Sequence, residues 1–171
     1  PTSDNVYRLY TENIRLKEDA NRLQLPTGLG EMLKNEFPEV KAFVQITPGS
    51  QEFERKNGNI KVKTLEASNS YFTVFPFRFL AGNPQQALTK KNSIVLTDPA
   101  AKKIFGSTNP LNQVLMNTQN EPFTVTAIIK DIPANTHFEA EAIVNLSYPW
   151  ALKPLSWKSY SGIYQYVLLG D

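Results

Sequence analysis

The run Ser93-Ile94-Val95-Leu96-Thr97 passes without a break into Asp98-Pro99 and, a short helix later, into Gly106. No other stretch of the chain narrows its fold so much. Five apolar and hydroxyl residues, bounded by polar ones, read as a buried strand. Asp98 is expected to cap a helix with Pro99 at its first position, where a missing amide hydrogen is no loss and φ is already helical. Gly106 is expected just past the helix end, and Ile104 and Phe105 supply its apolar side. A strand that turns directly into a helix requires both to pack on one core.

The same strand and helix signals recur along the chain. Val6-Tyr7-Arg8-Leu9-Tyr10 reads as an opening strand, and the polar stretch 17–22 as a connection. Thr27 is the expected N-cap of a helix whose face carries Leu29, Met32, Leu33 and Phe37, and Pro38 ends it. Val40, Ala42, Val44 and Ile46 alternate with their neighbours as a half-buried strand does. Thr47-Pro48-Gly49-Ser50 reads as a turn, and Asn57-Gly58 as the tip of a hairpin between 53–56 and 60–65. Residues 114–116 and 123–129 flank a polar turn at 117–121, with Phe123, Val125, Ala127 and Ile129 expected on one face. Two more strands are expected at 138–146 and 164–169, joined by a long connection holding Trp150 and Trp157. The fold class is α+β.

Composition removes several function classes. The chain has 171 residues, 41% hydrophobic and 20% charged, a globular balance and not a disordered one. Lys and Arg number 18 against 16 Asp and Glu, a net charge of +2 that gives nucleic acid or an anionic membrane no hold. With no cysteine, disulfides and thiol catalysis are excluded, and with one histidine a transition-metal site has too few ligands. The longest uncharged apolar-leaning stretch, 142–152, is broken by Asn145, Ser147 and Pro149 and falls short of the ~20 residues that a bilayer crossing needs. The chain opens at Pro1 without Met or a basic-then-apolar leader, so it is expected to be an excised or processed segment.

Candidate chemistry is sparse. His137 is the only histidine, in the run Asp131-Ile132-Pro133-Ala134-Asn135-Thr136-His137, and a triad would have to use it with Asp131 or Asp98. No nucleophile-elbow pattern surrounds any serine. Glu139 and Glu141, two apart on an expected strand, leave from one face and could do acid–base work, but solvent-facing carboxylates are commoner. Arg55, Lys56, Lys61 and Lys63 make the hairpin locally basic, which ribbon alternation explains. Tyr71, Phe72, Phe75, Phe77 and Phe79 are either a ligand platform or core, and the area such rings bury favours core. No phosphate loop, calcium loop or cofactor motif is present.

Segments spread along the chain, in order, resemble the MacB-like periplasmic core domain of FtsX/MacB-family ABC-transporter permeases, in the form seen in Bacteroidetes-type genomes. They are Val6-Tyr7-Arg8; Leu33-Lys34-Asn35-Glu36-Phe37-Pro38-Glu39-Val40; Ala67-Ser68-Asn69-Ser70-Tyr71-Phe72-Thr73-Val74-Phe75; Gly82-Asn83-Pro84 with Ala87-Leu88; 93–97 with Ala101-Lys102-Lys103-Ile104-Phe105-Gly106; Asn109-Pro110-Leu111-Asn112-Gln113; 124–138; and Gln165-Tyr166-Val167-Leu168-Leu169. Asn112 and Ala127 stand where that family usually has glycine. The signature positions carried by the resemblance, structural in role, are Phe37, Pro38, Phe72, Phe105, Gly106, Asp131, Pro133 and His137.

The resemblance implies two lobes. A porter-like α/β sandwich lobe would use 1–83 and 138–171, and a Sabre-like mixed α/β lobe would be inserted at 84–137. It implies the periplasmic domain of an inner-membrane protein, with one transmembrane helix before it and three after. The partners it implies are those helices, a second permease copy, a cytoplasmic ATPase, and a periplasmic adaptor or outer-membrane protein. No cofactor and no catalysis are implied: the domain would pass ATP-driven motion to periplasmic partners in efflux, lipoprotein release or envelope signalling. Pro1 and Asp171 should then emerge side by side from one pole. Two rivals remain: a periplasmic peptide- or lipid-binding module built on the aromatic segment, and a hydrolase using His137.

Overall fold

The computed structural model describes residues 5–10, 25–132, 138–146, 160–161 and 163–170. Its first half comprises β1 (Val6–Leu9), β2 (Leu25–Pro26), α1 (Leu29–Glu36), β3 (Val40–Phe53), β4 (Ile60–Ala67), α2 (Tyr71–Val74) and β5 (Phe79–Gly82). The second half comprises β6 (Ser93–Thr97), α3 (Asp98–Phe105), β7 (Val114–Met116), β8 (Pro122–Ile129), β9 (Ala142–Asn145), β10 (Tyr160–Ser161) and β11 (Tyr164–Leu169). One mixed sheet runs β1-β11-β3-β4-β9-β6-β8-β5, with β7 added along β8, and β10 pairs with β2 apart from it. The architecture is α+β.

β3 is longer than expected. It continues through Thr47-Pro48-Gly49-Ser50, read above as a turn, and ends only at Phe53. The reason is a change of neighbour. Val40 to Ile46 pair with β11, whereas Ile46 to Phe53 pair with β4. Pro48 therefore sits where the strand has a neighbour on one side only, and its missing amide hydrogen breaks no ladder. Gly58, at φ 102, turns the chain back into β4 as the Asn57-Gly58 pair predicts.

Beyond Pro48 the hairpin curls over and meets the other end of the sheet. Phe53 bridges Asn117, the Glu54 amide donates to the Met116 carbonyl (2.9 Å), and the Thr118 amide donates to the Glu52 carbonyl (3.0 Å). β7 is thereby joined back to β3, so β3, β4, β9, β6, β8 and β7 form a closed ring. Phe53, Val62, Ile94, Leu96, Val125 and Val144 fill it, with Ala101 and Ile104 of α3 packed against them. Phe53 and Phe123 meet edge to face at 5.6 Å inside. The segment 84–137 supplies β6, α3, β7 and β8 to this ring, while β3, β4 and β9 come from the chain on either side of it.

The second core lies on the opposite face of the sheet. Ala42, Val44 and Ile46 of β3 meet Leu65, Val95, Ile129, Ile143 and Tyr166 there, covered by α2 and its aromatic neighbours. A bulge in β8 makes both cores possible. Ile94 stands opposite Val125 but Val95 stands opposite Ala127, leaving Thr126 as the extra residue. Phe123 and Val125 consequently face the ring interior and Ala127 and Ile129 the other core, which corrects the expectation of one shared face.

Helix starts also differ by a residue. α1 is capped at Gly28 and not Thr27, because the Thr27 carbonyl is held to the sheet by the Gln45 side-chain amide. At α3 the cap is Thr97, whose hydroxyl accepts from the Ala100 amide at 3.3 Å. Asp98 instead lies in the first turn and pairs with Lys102 at 2.7 Å. Gly106 ends the helix at φ 63, as expected.

Candidate functional site

A charged junction forms where the approach to β9 crosses β4 and α3. The Glu141 amide donates to the Lys63 carbonyl (2.8 Å), and one Glu141 carboxylate oxygen accepts from the Lys63 amide (3.0 Å). The other oxygen takes the Lys103 ammonium at 2.8 Å, and Glu139 pairs with the Lys63 ammonium at 2.9 Å. Glu139 and Glu141 thus precede the strand expected to carry them, and each has its own cation. Hydrogen bonding to Lys63 holds the Glu139 carboxyl below its usual range. At Glu141 burial pushes the other way, but Lys103 and the Lys63 amide prevail and the carboxyl is also lowered. Carboxylates held ionised are poor general acids, so the pair serves to lock three elements together.

The aromatic segment is core. Tyr71, Phe72 and Val74 are buried. Tyr71 stacks on Phe77 at 5.7 Å, Phe72 meets Phe79 edge-on at 4.8 Å, and Phe75 meets Tyr166 at 5.3 Å. Burial drives the Tyr71 hydroxyl pKa upward and, with Arg8 opposing it, lifts that of Tyr166 to about 12. Rings packed on one another and on the sheet offer no platform.

The signature positions scatter. Phe37 leaves α1 in extended conformation and is 49% exposed, so it does not share the face on which Leu29, Met32 and Leu33 lie half-buried. Pro38 follows it at the surface, whereas Phe72 lies in the core and Phe105 packs beside the ring interior. Asp131 is exposed, and its carboxylate accepts from the Ile132 amide at 2.7 Å. Pro133 and His137 lie outside the described residues, as does most of the 147–162 connection. Among the described residues no cluster of His, Asp and Glu is placed to hold a metal, and no helix is long and apolar enough to cross a membrane.

One concave feature was not anticipated. A cleft of about 590 Å³ opens at the foot of β6 and β8, between the 83–91 loop and Asn112. Its signals were the Lys90-Lys91-Asn92 run before β6 and two asparagines, Asn92 and Asn112, that adopt left-handed backbone angles.

Comparison with known proteins places the chain as a whole. The model of a family described as the MacB-like periplasmic core domain matches residues 1–168. A solved permease domain from Porphyromonas gingivalis superposes with a TM-score of 0.73 at 20% identity over 86% of this chain. This chain spans 64% of that one. The periplasmic region of MacB from Actinobacillus actinomycetemcomitans gives a TM-score of 0.69 at 18% identity, covering 98% of this chain and 75% of that one. The extracellular domain of the noncanonic ABC-type transporter YknZ from Gram-positive bacteria gives 0.66 at 17% identity, covering 98% and 84%. No curated protein sequence matches the chain.

Proposed function

Because the chain belongs to the family of MacB-like periplasmic core domains, the periplasmic domains of MacB/FtsX-like ABC-transporter permeases of the inner membrane, we propose that it transmits motion and performs no chemistry of its own. The family is one of transporter permease domains and not an enzyme class. ATP turnover in a cytoplasmic ATPase would move the membrane helices of two permease copies. This domain would carry that displacement outward to a periplasmic adaptor, an outer-membrane protein or a substrate already in the periplasm. Efflux, lipoprotein release and envelope signalling all fit such an output.

The observation that carries the reading is the path of β3. At its Val40 end it lies beside β11, which in turn pairs with β1, Val6 facing Leu168. The first and last described strands therefore lie together at one end of the hairpin. At its Phe53 end the same strand closes the ring. A continuous ladder between the two regions transfers displacement with little loss, since packed elements deform far less than they rotate. On this reading the porter-like part (1–83 and 138–171) is the tethered base, and the Sabre-like insertion (84–137) with the hairpin tip is the moving end.

A spin label at Asn57→Cys, on the hairpin tip of the full-length permease, tests this. The distance between the two tips is expected to change between nucleotide-free and ATP-trapped states. A distance indifferent to nucleotide, in a permease whose ATPase still turns over, would overturn the mechanical reading.

A further inference from the structure

We propose that the cleft at the foot of β6 and β8 binds an acidic saccharide, a short oligosaccharide carrying carboxylate groups. This inference goes beyond the mechanical role and does not depend on it. At about 590 Å³ the cleft is of the size that takes small ligands. Lys90 and Lys91 line it, and no carboxylate does. An anion is therefore attracted without a competing internal partner.

The remaining polar atoms decide which anion. Three of the four lining hydroxyls have their hydrogens committed: Thr89 donates to the Gln86 carbonyl (3.0 Å), Ser93 to the Lys90 carbonyl (2.7 Å), and Thr126 to the Ala87 carbonyl (2.7 Å), whereas the fourth, Thr124, can donate or accept. Those three have only lone pairs left to face a ligand, and these accept. Gln86 and Asn112 can both donate and accept, and the Asn83 side-chain amide, whose oxygen accepts from the Gln85 amide at 2.9 Å, can donate. A bare phosphate or sulfate, all acceptor, leaves those lone pairs unmatched, whereas sugar hydroxyls satisfy them and still receive bonds from the amides. No aromatic ring lines the cleft for a neutral sugar to stack on. The ammonium pair must then supply much of the affinity, which requires charge on the sugar.

The cleft is also built before any ligand arrives. Asn92 and Asn112 hold φ of 57° and 64°. The Asn92 carbonyl accepts from the Thr124 amide (3.0 Å), and the Asn112 amide donates to the Val125 carbonyl (2.8 Å), so both walls are pinned to β8. Left-handed angles are a cost that most residues avoid, and glycine would meet it more easily; asparagine at 112 adds an amide to the lining. The bulge at Thr126 turns its side chain into the same space. Walls held in place leave less freedom to lose on binding.

The test is a titration of the isotope-labelled chain followed by amide resonances. Trigalacturonate is expected to shift Ser93, Asn112 and Thr124, with an affinity that falls as salt is added. Maltotriose, of the same size without charge, and the double variant Lys90→Ala/Lys91→Ala with trigalacturonate should each bind about tenfold more weakly. Both lysines are exposed, so an unchanged spectrum elsewhere will show that the variant is folded. The proposal fails if trigalacturonate shifts none of these amides, if maltotriose binds equally well, if the double variant keeps full affinity, or if inorganic phosphate alone reproduces the shifts.

Discussion

The side chain of Gln165, in β11, accepts a hydrogen bond from the backbone amide of Gly30, in the first turn of α1, at 3.1 Å. The same side chain donates to the Pro26 carbonyl at 2.9 Å and is fully buried. A residue near the end of the chain thus satisfies two backbone groups near its beginning. Without it, one unpaired amide at a helix start and one unpaired carbonyl would be shut away from water.

Gln165→Leu keeps the volume and removes both bonds. Unsatisfied buried groups cost about 1–3 kcal/mol each, so a loss of about 2–6 kcal/mol is expected from urea unfolding. A loss under about 0.5 kcal/mol, within the range of an ordinary surface change, would show that the two groups find other partners.

Two glycines with positive φ should respond unequally to alanine. A Cβ at Gly58 would meet open space, so Gly58→Ala should cost only backbone strain, about 1–2 kcal/mol. A Cβ at Gly82 would lie 2.5 Å from both the Ala127 methyl and the Thr126 carbonyl oxygen. Gly82→Ala should therefore cost about 1–3 kcal/mol more than Gly58→Ala, because the edge strand β5 must move off β8. Equal melting temperatures for the two variants would contradict that packing.

Thr64 is 1% exposed and its hydroxyl has no hydrogen-bond partner among the described residues. Valine keeps the branched shape a strand favours and removes the unpaired group. Thr64→Val is expected to raise stability by about 1 kcal/mol in the same unfolding measurement. A destabilised variant would count against an unpaired hydroxyl.

Acid should loosen the junction at Glu141. Its carboxyl lies below the ordinary value of 4.5 in the folded chain. A group whose pKa is lowered by folding contributes stability above its unfolded pKa and loses it as pH falls through the folded one. The unfolding midpoint should thus decline from about pH 4.5 downward, and Glu141→Gln should show a shallower decline. Identical acid profiles for the two proteins would exclude Glu141 from the transition.

Local order was legible because neighbours in sequence set it. Thr97 to Gly106, the Asn57-Gly58 tip and the alternation of Val40, Ala42, Val44 and Ile46 depend on backbone angles and side-chain period, which a few adjacent residues determine. The order of the family-like segments was legible for the same reason, and it points to the family that the chain belongs to. Exposure and partners were not legible. Phe37 reads as a buried helix residue yet lies half-exposed, because the chain turns extended before Pro38.

Only tertiary structure decided that β9 lies between β4 and β6, that β3 exchanges β11 for β4 at Ile46, and that Thr126 bulges so that β8 feeds two cores. It also decided that Lys90 with Ser93, Asn112 and Thr124, from three separate stretches of the chain, line one cleft. The physical reason is that strands pair through amide and carbonyl groups that every residue but proline carries in full. The identity of a strand's partner is therefore written nowhere along it, and is settled only when all the apolar faces are buried together.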